Sequence, residues 1–581
     1  MEATASEATR NISWSIDEMK FLLVAINSKY IHSNLAVYCL KAAAGEYGDN
    51  VSIIEYTINN RTDDILRGIY EECPDVIGFS CYIWNISIVK ELIGELSKIL
   101  PNVPIWLGGP EVSYNPERYV GVYPNIAGVM KGEGERTFNR LISCYSLDNT
   151  DEIPYIKGIT TISDGELLDN PCDEPIDMNT IHIDYNTETL NNRIIYYESQ
   201  RGCPFSCSYC LSSVDKHLRF KDTELVKKEL SVFLDNKVPQ VKFVDRTFNC
   251  NREHSLEIWR FIKEHDNGIT NFHFEIAADL LNEETIQLLQ SMRRGLVQLE
   301  IGVQSTNTET IKAIHRNMNL DVLRANVEAI MKYQNIHIHL DLIAGLPYED
   351  FESFQKSFND IYGMKPHDLQ LGFLKLLHGS GIEKETIQYG IVGRNMPPYE
   401  VLYTKWISYD ELLKLKIIEN VVEMHYNSGM FAAGIRYAER FFSDAFTMYL
   451  EFGEFYDRKY PSGSLPSRNG KYELFYEFME DKLSSKDIMV LAELLKFDML
   501  CKDNLKSFPN FLVPDYDMAA RARMLIPDRK LTKAEHMEIF KIDVLEFLHS
   551  DIITEGEFPI YFNYLERDNL TNNATIKVWT N

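Results

Sequence analysis

Cysteine is scarce in this chain, with ten in 581 residues. Small domains held by disulfides are far denser in cysteine, so a disulfide scaffold is excluded. Positive charge is also short: 59 Lys and Arg stand against 86 Asp and Glu, a net charge of −27. Such a chain repels phosphate backbones, which disfavours general nucleic-acid binding and leaves only a local basic groove open. No apolar run approaches the roughly 18 residues of a membrane helix, so no membrane partner is expected. The polar stretch from Met1 to Ser15 lacks the apolar centre of a secretory signal, and a cytoplasmic protein is expected. Disorder is excluded as the general state, because 30 Phe and 32 Tyr in a chain 45% hydrophobic require burial.

What is present is alternation. After a polar leader (1–17), short apolar runs such as 21–26, 51–54, 76–80, 105–108 and 126–130 alternate with amphipathic stretches. Near-continuous apolar strands between helices predict a parallel sheet covered on both faces, here an α/β, Rossmann-like (flavodoxin-like) domain over 18–147. Ligands of such sheets lie beyond the strand carboxyl ends. Residues 148–193 lose the period, are acidic and hold Pro154, Pro171 and Pro175; they read as a linker, with room for a hairpin near 156–162. A second alternation with six strand candidates spans 194–375 and predicts a partial (β/α)6 barrel, open rather than closed at eight. Residues 376–581 read as mainly helical, with a mixed element after about 530.

Seven of the ten cysteines are scattered. The other three, Cys203, Cys207 and Cys210, form C-x3-C-x2-C directly after the first strand of the second alternation, where barrel enzymes place their chemistry. Three thiolates on one loop suit a soft metal centre. Structural zinc wants a fourth ligand, and the next candidates, His217 and Cys250, are not close. A [4Fe–4S] cluster held by three thiolates leaves one iron free for a small molecule.

The segment 199–210, with Tyr209 just before the last cysteine, resembles the signature loop of the radical S-adenosylmethionine (SAM) enzymes. Phe243–Asn249, Glu300–Ser305 and Asp341–Glu349 resemble that family's F-x-D-x-x-F, E-x-G-x-Q-S and D-L-I-x-G-L-P segments. The resemblance implies Cys203, Cys207 and Cys210 as ligands of a [4Fe–4S] cluster. It implies Tyr209, Asp245, Glu300, Gln304, Ser305, Ile343 and Gly345 as neighbours of SAM, and a flavodoxin or ferredoxin as electron donor. Gly108–Glu111 and Lys131–Phe138 resemble elements of the cobalamin-binding domains fused ahead of such barrels. The expected corrin-side residues are Tyr30, His32, Ser80, Tyr82, Trp84, Gly108, Gly109, Glu111, Gly132, Glu133, Gly134 and Glu135. No D-x-H-x-x-G motif is present, so histidine ligation of cobalt is not implied. The C-terminal region resembles an uncharacterised helical extension of some cobalamin-type members.

The implied activity is methylation of an unactivated carbon by way of a 5′-deoxyadenosyl radical and methylcobalamin, on a substrate the residues do not identify. Rivals are a non-methylating ring formation or rearrangement with the same cofactors, a methylthiotransferase-like enzyme without cobalamin, and a non-enzymatic Fe–S or cobalamin sensor. No catalytic acid–base group is singled out. The plain alternatives are that Asp245 and Glu300 satisfy core hydrogen bonds, that His32 bonds backbone, and that the aromatics pack.

Overall fold

The computed structural model describes residues 19–29, 32–185, 190, 194–461, 463–505, 507–513, 515–526 and 531–579. It divides into two compact units: 1–274 with 375–384 and 393–400, and 275–374 with 385–392 and 401–581.

In the first unit, seven strands are ordered β2-β1-β3-β4-β5-β6-β7. They are β1 (Phe21–Asn27), β2 (Val51–Thr57), β3 (Val76–Ser80), β4 (Ile105–Gly108), β5 (Ile126–Met130), β6 (Ile159–Ser163) and β7 (Glu166–Asp169). The first five are parallel, in the flavodoxin-like order 2-1-3-4-5. β1 is apolar from Phe21 to Ile26 because each face of the sheet is covered. Leu22, Val24 and Ile26 pack with Ile65, Val89 and Ile93 on one face. Phe21, Leu23 and Ala25 pack with Trp106, Phe138 and Leu141 on the other. The order in which strands are added reverses between β1 and β3, and ligand crevices of open α/β sheets form there.

The stretch read as a linker is partly sheet. β6 pairs antiparallel with β5, and β7 with β6. Asp164 and Gly165 join β6 to β7 with φ of 52° and 81°, the left-handed pair that a two-residue hairpin demands.

The second alternation gives six strands ordered β15-β14-β13-β12-β11-β8, an open sheet. β8 (Ile194–Tyr197), β11 (Gln240–Phe243) and most of β12 (Asn271–Ile276) lie in the first unit; the short ribbon strands β9 (Gln200–Arg201) and β10 (Arg219–Phe220) follow β8. β13 (Val297–Gln304), β14 (His337–Ala344) and β15 (Asp368–Phe373) lie in the second and run parallel. The helices between them start at side-chain caps: Asp222, Asn251, Asn282, Asn319 and Asp350 each accept from a backbone N–H of the first turn. Alternation along β14 buries Ile338, Leu340 and Leu342, while His337, His339, Asp341 and Ile343 take the other face.

Past β15 come the short strands β16 (Val392–Gly393) and β17 (Val401–Tyr403). Helices follow at Tyr409–Val421, Ala432–Ala438, Ala445–Lys459, Arg468–Glu480 and Ser485–Lys502. The mixed element is an antiparallel sheet of β18 (Glu535–Ile542), β19 (Glu555–Arg567) and β20 (Ala574–Val578). Among the described residues, no helix is long and apolar enough to cross a membrane.

Phe431 cannot cap the helix Ala432–Ala438. Asp498 does so from another helix, accepting from Ala433 N (3.0 Å) and Gly434 N (2.8 Å). Burial pushes its carboxyl from the usual 3.8 up to about 7. A folded-state pKa above the unfolded one means a contribution fully present below the unfolded value and lost as pH rises through about 7. Denaturant midpoints are therefore expected to fall between about pH 4 and 7, with a shallower slope in Asp498→Asn. An unchanged slope contradicts this.

Candidate functional site

The cysteine loop is closed at its base by the ribbon of β9 and β10, where Arg201 faces Arg219 and Gln200 faces Phe220. Gly202 turns the chain into the loop at φ 85°; a Cβ there would lie 2.6 Å from His217 O, so no larger residue fits. Cys203 N donates to Asp215 O (3.1 Å) and Cys210 N to Cys207 O (3.2 Å). Cys203 and Cys207 are buried, while Cys210 and Tyr209 are half-buried. Cys203 Sγ lies 3.7 Å from Thr247 Oγ1.

None of the three cysteines is joined in a disulfide. Among the described residues, no three His, Cys, Asp or Glu side chains converge closely enough to hold a single ion. Ligands of a cubane stand wider apart than those of one ion. Three unbridged soft donors on a loop turned by Gly202 therefore fit a [4Fe–4S] cluster.

Asp245 is fully buried at the end of β11. It accepts from Ser199 N (2.8 Å), Gln200 N (3.1 Å) and Ser199 Oγ, and burial raises its carboxyl to about 7. Its position is that of an anchor for the strand leading into the cysteine loop. Gln200 Nε2 adds a bond to Thr247 O (2.8 Å).

The second unit holds the other expected SAM neighbours. Glu300, half-buried, pairs in register with His339. Gln304 sits at a register shift with φ 74°, and its Nε2 occupies space 2.2 Å from where a Cβ of Gly302 would be. The glycine of E-x-G-x-Q-S thus leaves the space that the Gln304 amide takes up. Gln304 Oε1 is buried without a hydrogen-bond partner, an acceptor open to a ligand. Ser305 Oγ donates to Glu349 Oε1 (2.8 Å), which also accepts from Ser357 Oγ (2.9 Å). Ile343 is half-buried on β14, and Gly345 follows at φ 85° against Val401.

At the β1/β3 reversal of the first sheet a polar network closes the strand ends. Asn34 Nδ2 reaches Asn27 Oδ1 and Ser80 Oγ (3.2 Å each), and Asn85 Nδ2 reaches Ile26 O (3.1 Å) and Ser80 O (2.8 Å). Asn34 Oδ1 stays buried and unpaired. Trp84 stacks on Tyr82 at 4.3 Å, is 43% exposed, and donates to Ile26 O. A flat aromatic pair beside unfilled amide capacity suits a large ligand rimmed with amides, as corrin is. The three asparagines escaped the sequence reading because single polar residues at strand ends carry no period.

His32 bonds Ser28 Oγ through Nδ1 (3.0 Å) and meets the ring of Tyr196 edge-on, and burial lowers its pKa. Tyr30 lies outside the described residues. Gly108 ends β4, and Gly109 follows at φ 114°, where a Cβ would come 2.5 Å from Cys81 O. Glu111 is buried and accepts from Tyr399 Oη. Gly132, Glu133, Gly134 and Glu135 follow β5, and the two acids bind Arg219 and Arg201. Gly109→Ala is expected to cost about 1–3 kcal/mol by backbone strain, read as a drop in thermal midpoint. A drop no larger than that of Gly165→Ala, whose Cβ would meet nothing, contradicts the close approach.

Residues 22–142 match the family model of the B12 binding domain and 197–361 that of the radical SAM superfamily. Residues 387–562 match a family described as a protein of unknown function (DUF4080). The chain thus carries the two domains expected from its motifs, whose cofactors are cobalamin, a [4Fe–4S] cluster and SAM. It is similar to the cobalamin-dependent radical SAM methyltransferase TokK of Streptomyces tokunonensis, 25% identical over 486 residues, 79% of this chain and 69% of that one. It is also similar to a 2-(S-pantetheinyl)-carbapenam-3-carboxylate methyltransferase of Streptantibioticus cattleyicolor, 25% identical over 313 residues. That match takes in 51% of this chain and only 46% of the relative. Among solved structures, the cobalamin-dependent SAM radical enzyme OxsB, with aqua-cobalamin and SAM bound, aligns with TM-score 0.57 at 13% identity. The alignment covers 83% of this chain and 79% of that one and bears on the fold.

Proposed function

We propose that this chain is a cobalamin-dependent radical SAM enzyme that methylates an unactivated carbon, drawing electrons from a flavodoxin or ferredoxin. The observation that carries the reading is the meeting, within one compact unit, of the loop after β5 with the base of the cysteine loop, Glu135 Oε1 lying 2.6 Å from Arg201 Nη2. The carboxyl end of the B12-domain sheet and the cysteines are thereby held together. The two relatives named as methyltransferases support the choice of methylation over rearrangement.

When bound, the cluster with SAM supplies one-electron chemistry and cobalamin a transferable methyl group. The chain's residues provide position. Cys203, Cys207 and Cys210 hold the cluster, and Asp245 fixes the strand that enters their loop. Glu300 and the unpaired Gln304 Oε1 offer acceptors to SAM, and Gly345 lets the backbone approach it. The asparagine network and the Tyr82–Trp84 stack form the corrin-side wall. No acid–base group is required of the protein in this scheme.

The test is anoxic reconstitution with iron, sulfide and cobalamin, followed by reduction with SAM carrying a trideuterated methyl group. Corrin recovered with that methyl is the expected result. Corrin retained but never alkylated favours the non-methylating rival, and corrin lost on gel filtration favours the enzyme without cobalamin.

A further inference from the structure

Glu133 and Glu135 were expected to face corrin, but their carboxylates are engaged elsewhere. Glu135 Oε1 takes Arg201 Nη2 at 2.6 Å, and its side chain is 5% exposed. Glu133 Oε1 takes Arg219 Nη2 at 2.6 Å and stands 3.6 Å from Arg201 Nη1, while its Oε2 takes Arg219 Nη1 (2.9 Å) and Ile176 N (3.0 Å). Arg201 is further bonded to Glu198 (2.8 Å) and Arg219 to Asp215 (2.8 Å). The backbone O of that same Asp215 accepts the N–H of Cys203.

The two guanidiniums face each other across the β9–β10 ribbon, one on each stem of the cysteine loop. Each stem is therefore gripped by one acid of a single B12-domain loop. The glycine before each acid sits close to its surroundings: a Cβ at Gly132 would lie 3.2 Å from Cys172 Sγ, and one at Gly134 2.9 Å from Leu40 Cδ2. Forked guanidinium–carboxylate contacts fix orientation as well as distance, which an ammonium does not.

We propose that Glu133 and Glu135 are positioning residues that orient the cysteine loop through Arg219 and Arg201, and are not contacts to cobalamin. This rests on the proposed function for its purpose, but its first readout needs no cofactor. Hydrogen exchange over 203–217 is compared in the cofactor-free full chain for wild type, Glu135→Gln and Arg219→Lys. Each variant is then reconstituted and its corrin stoichiometry measured after gel filtration.

Backbone exchange at least about tenfold faster across 203–217 is expected, with corrin retained as in wild type. Arg219→Lys keeps the charge but loses the fork, so it serves if Glu135→Gln does not fold. Unchanged exchange overturns the proposal, and corrin lost from a variant with unchanged exchange returns the acids to the corrin side. If wild type itself retains neither iron nor corrin, the proposed function fails while the exchange result still decides the positioning role.

Discussion

Cys207→Ala is expected to purify with cobalamin and without a [4Fe–4S] cluster. Cys207 is the middle one of the three proposed ligands, its side chain buried and its carbonyl engaged by Cys210 N. That backbone bond survives the substitution, so the loop keeps its turn and loses only a soft donor. Two thiolates leave two irons of the cubane without protein ligands, and the cluster does not persist. The residues proposed for the corrin side lie at the strand ends of the first sheet and lose nothing. Iron per chain should drop to background, the broad charge-transfer absorbance should vanish, and 5′-deoxyadenosine formation should fall at least about a thousandfold. Corrin bands should persist. A variant that keeps its iron and its absorbance removes Cys207 from the ligand set.

The other large effect is expected at Asp245. Its two oxygens serve Ser199 N, Gln200 N and Ser199 Oγ, all buried. Truncation to Ala strands the two backbone donors where water does not reach, at about 1–3 kcal/mol for each, while Ser199 Oγ keeps His254 Nε2 at 3.2 Å. Asp245→Ala is therefore expected to lose at least about 2 kcal/mol in denaturant unfolding of the cofactor-free chain. Asp245→Asn keeps one acceptor and should lose less. A loss under about 1 kcal/mol in the alanine variant would mean that the residue serves a ligand and not the chain.

The cysteine loop was legible because its information is local: three thiols, a glycine at positive φ and a strand just before them. The strand runs were legible because a sheet covered on both faces leaves β1 apolar over six consecutive positions, Phe21 to Ile26. Pairings at long range were not. Arg201 meets Glu135 across 66 residues, and Asp498 caps a helix that begins 66 residues before it, so neither has any sequence period to betray it. The acids of the loop after β5 are expected near corrin from motif and strand end, and neither of these shows the arginines that their carboxylates meet. In the expected linker the turn signal Asp164–Gly165 was present, but acidic and proline-rich surroundings outweighed it. The Asn27, Asn34 and Asn85 network was invisible for another reason: its members gain meaning only when β1 and β3 lie side by side.

The most direct test of the central claim is the assay of anoxically reconstituted, gel-filtered protein for 5′-deoxyadenosine after one-electron reduction with SAM. The account predicts nucleoside release by a chain that carries both iron–sulfur and corrin absorbance, and none from Cys207→Ala. Protein that is colourless, holds zinc in place of iron and leaves SAM intact would contradict it.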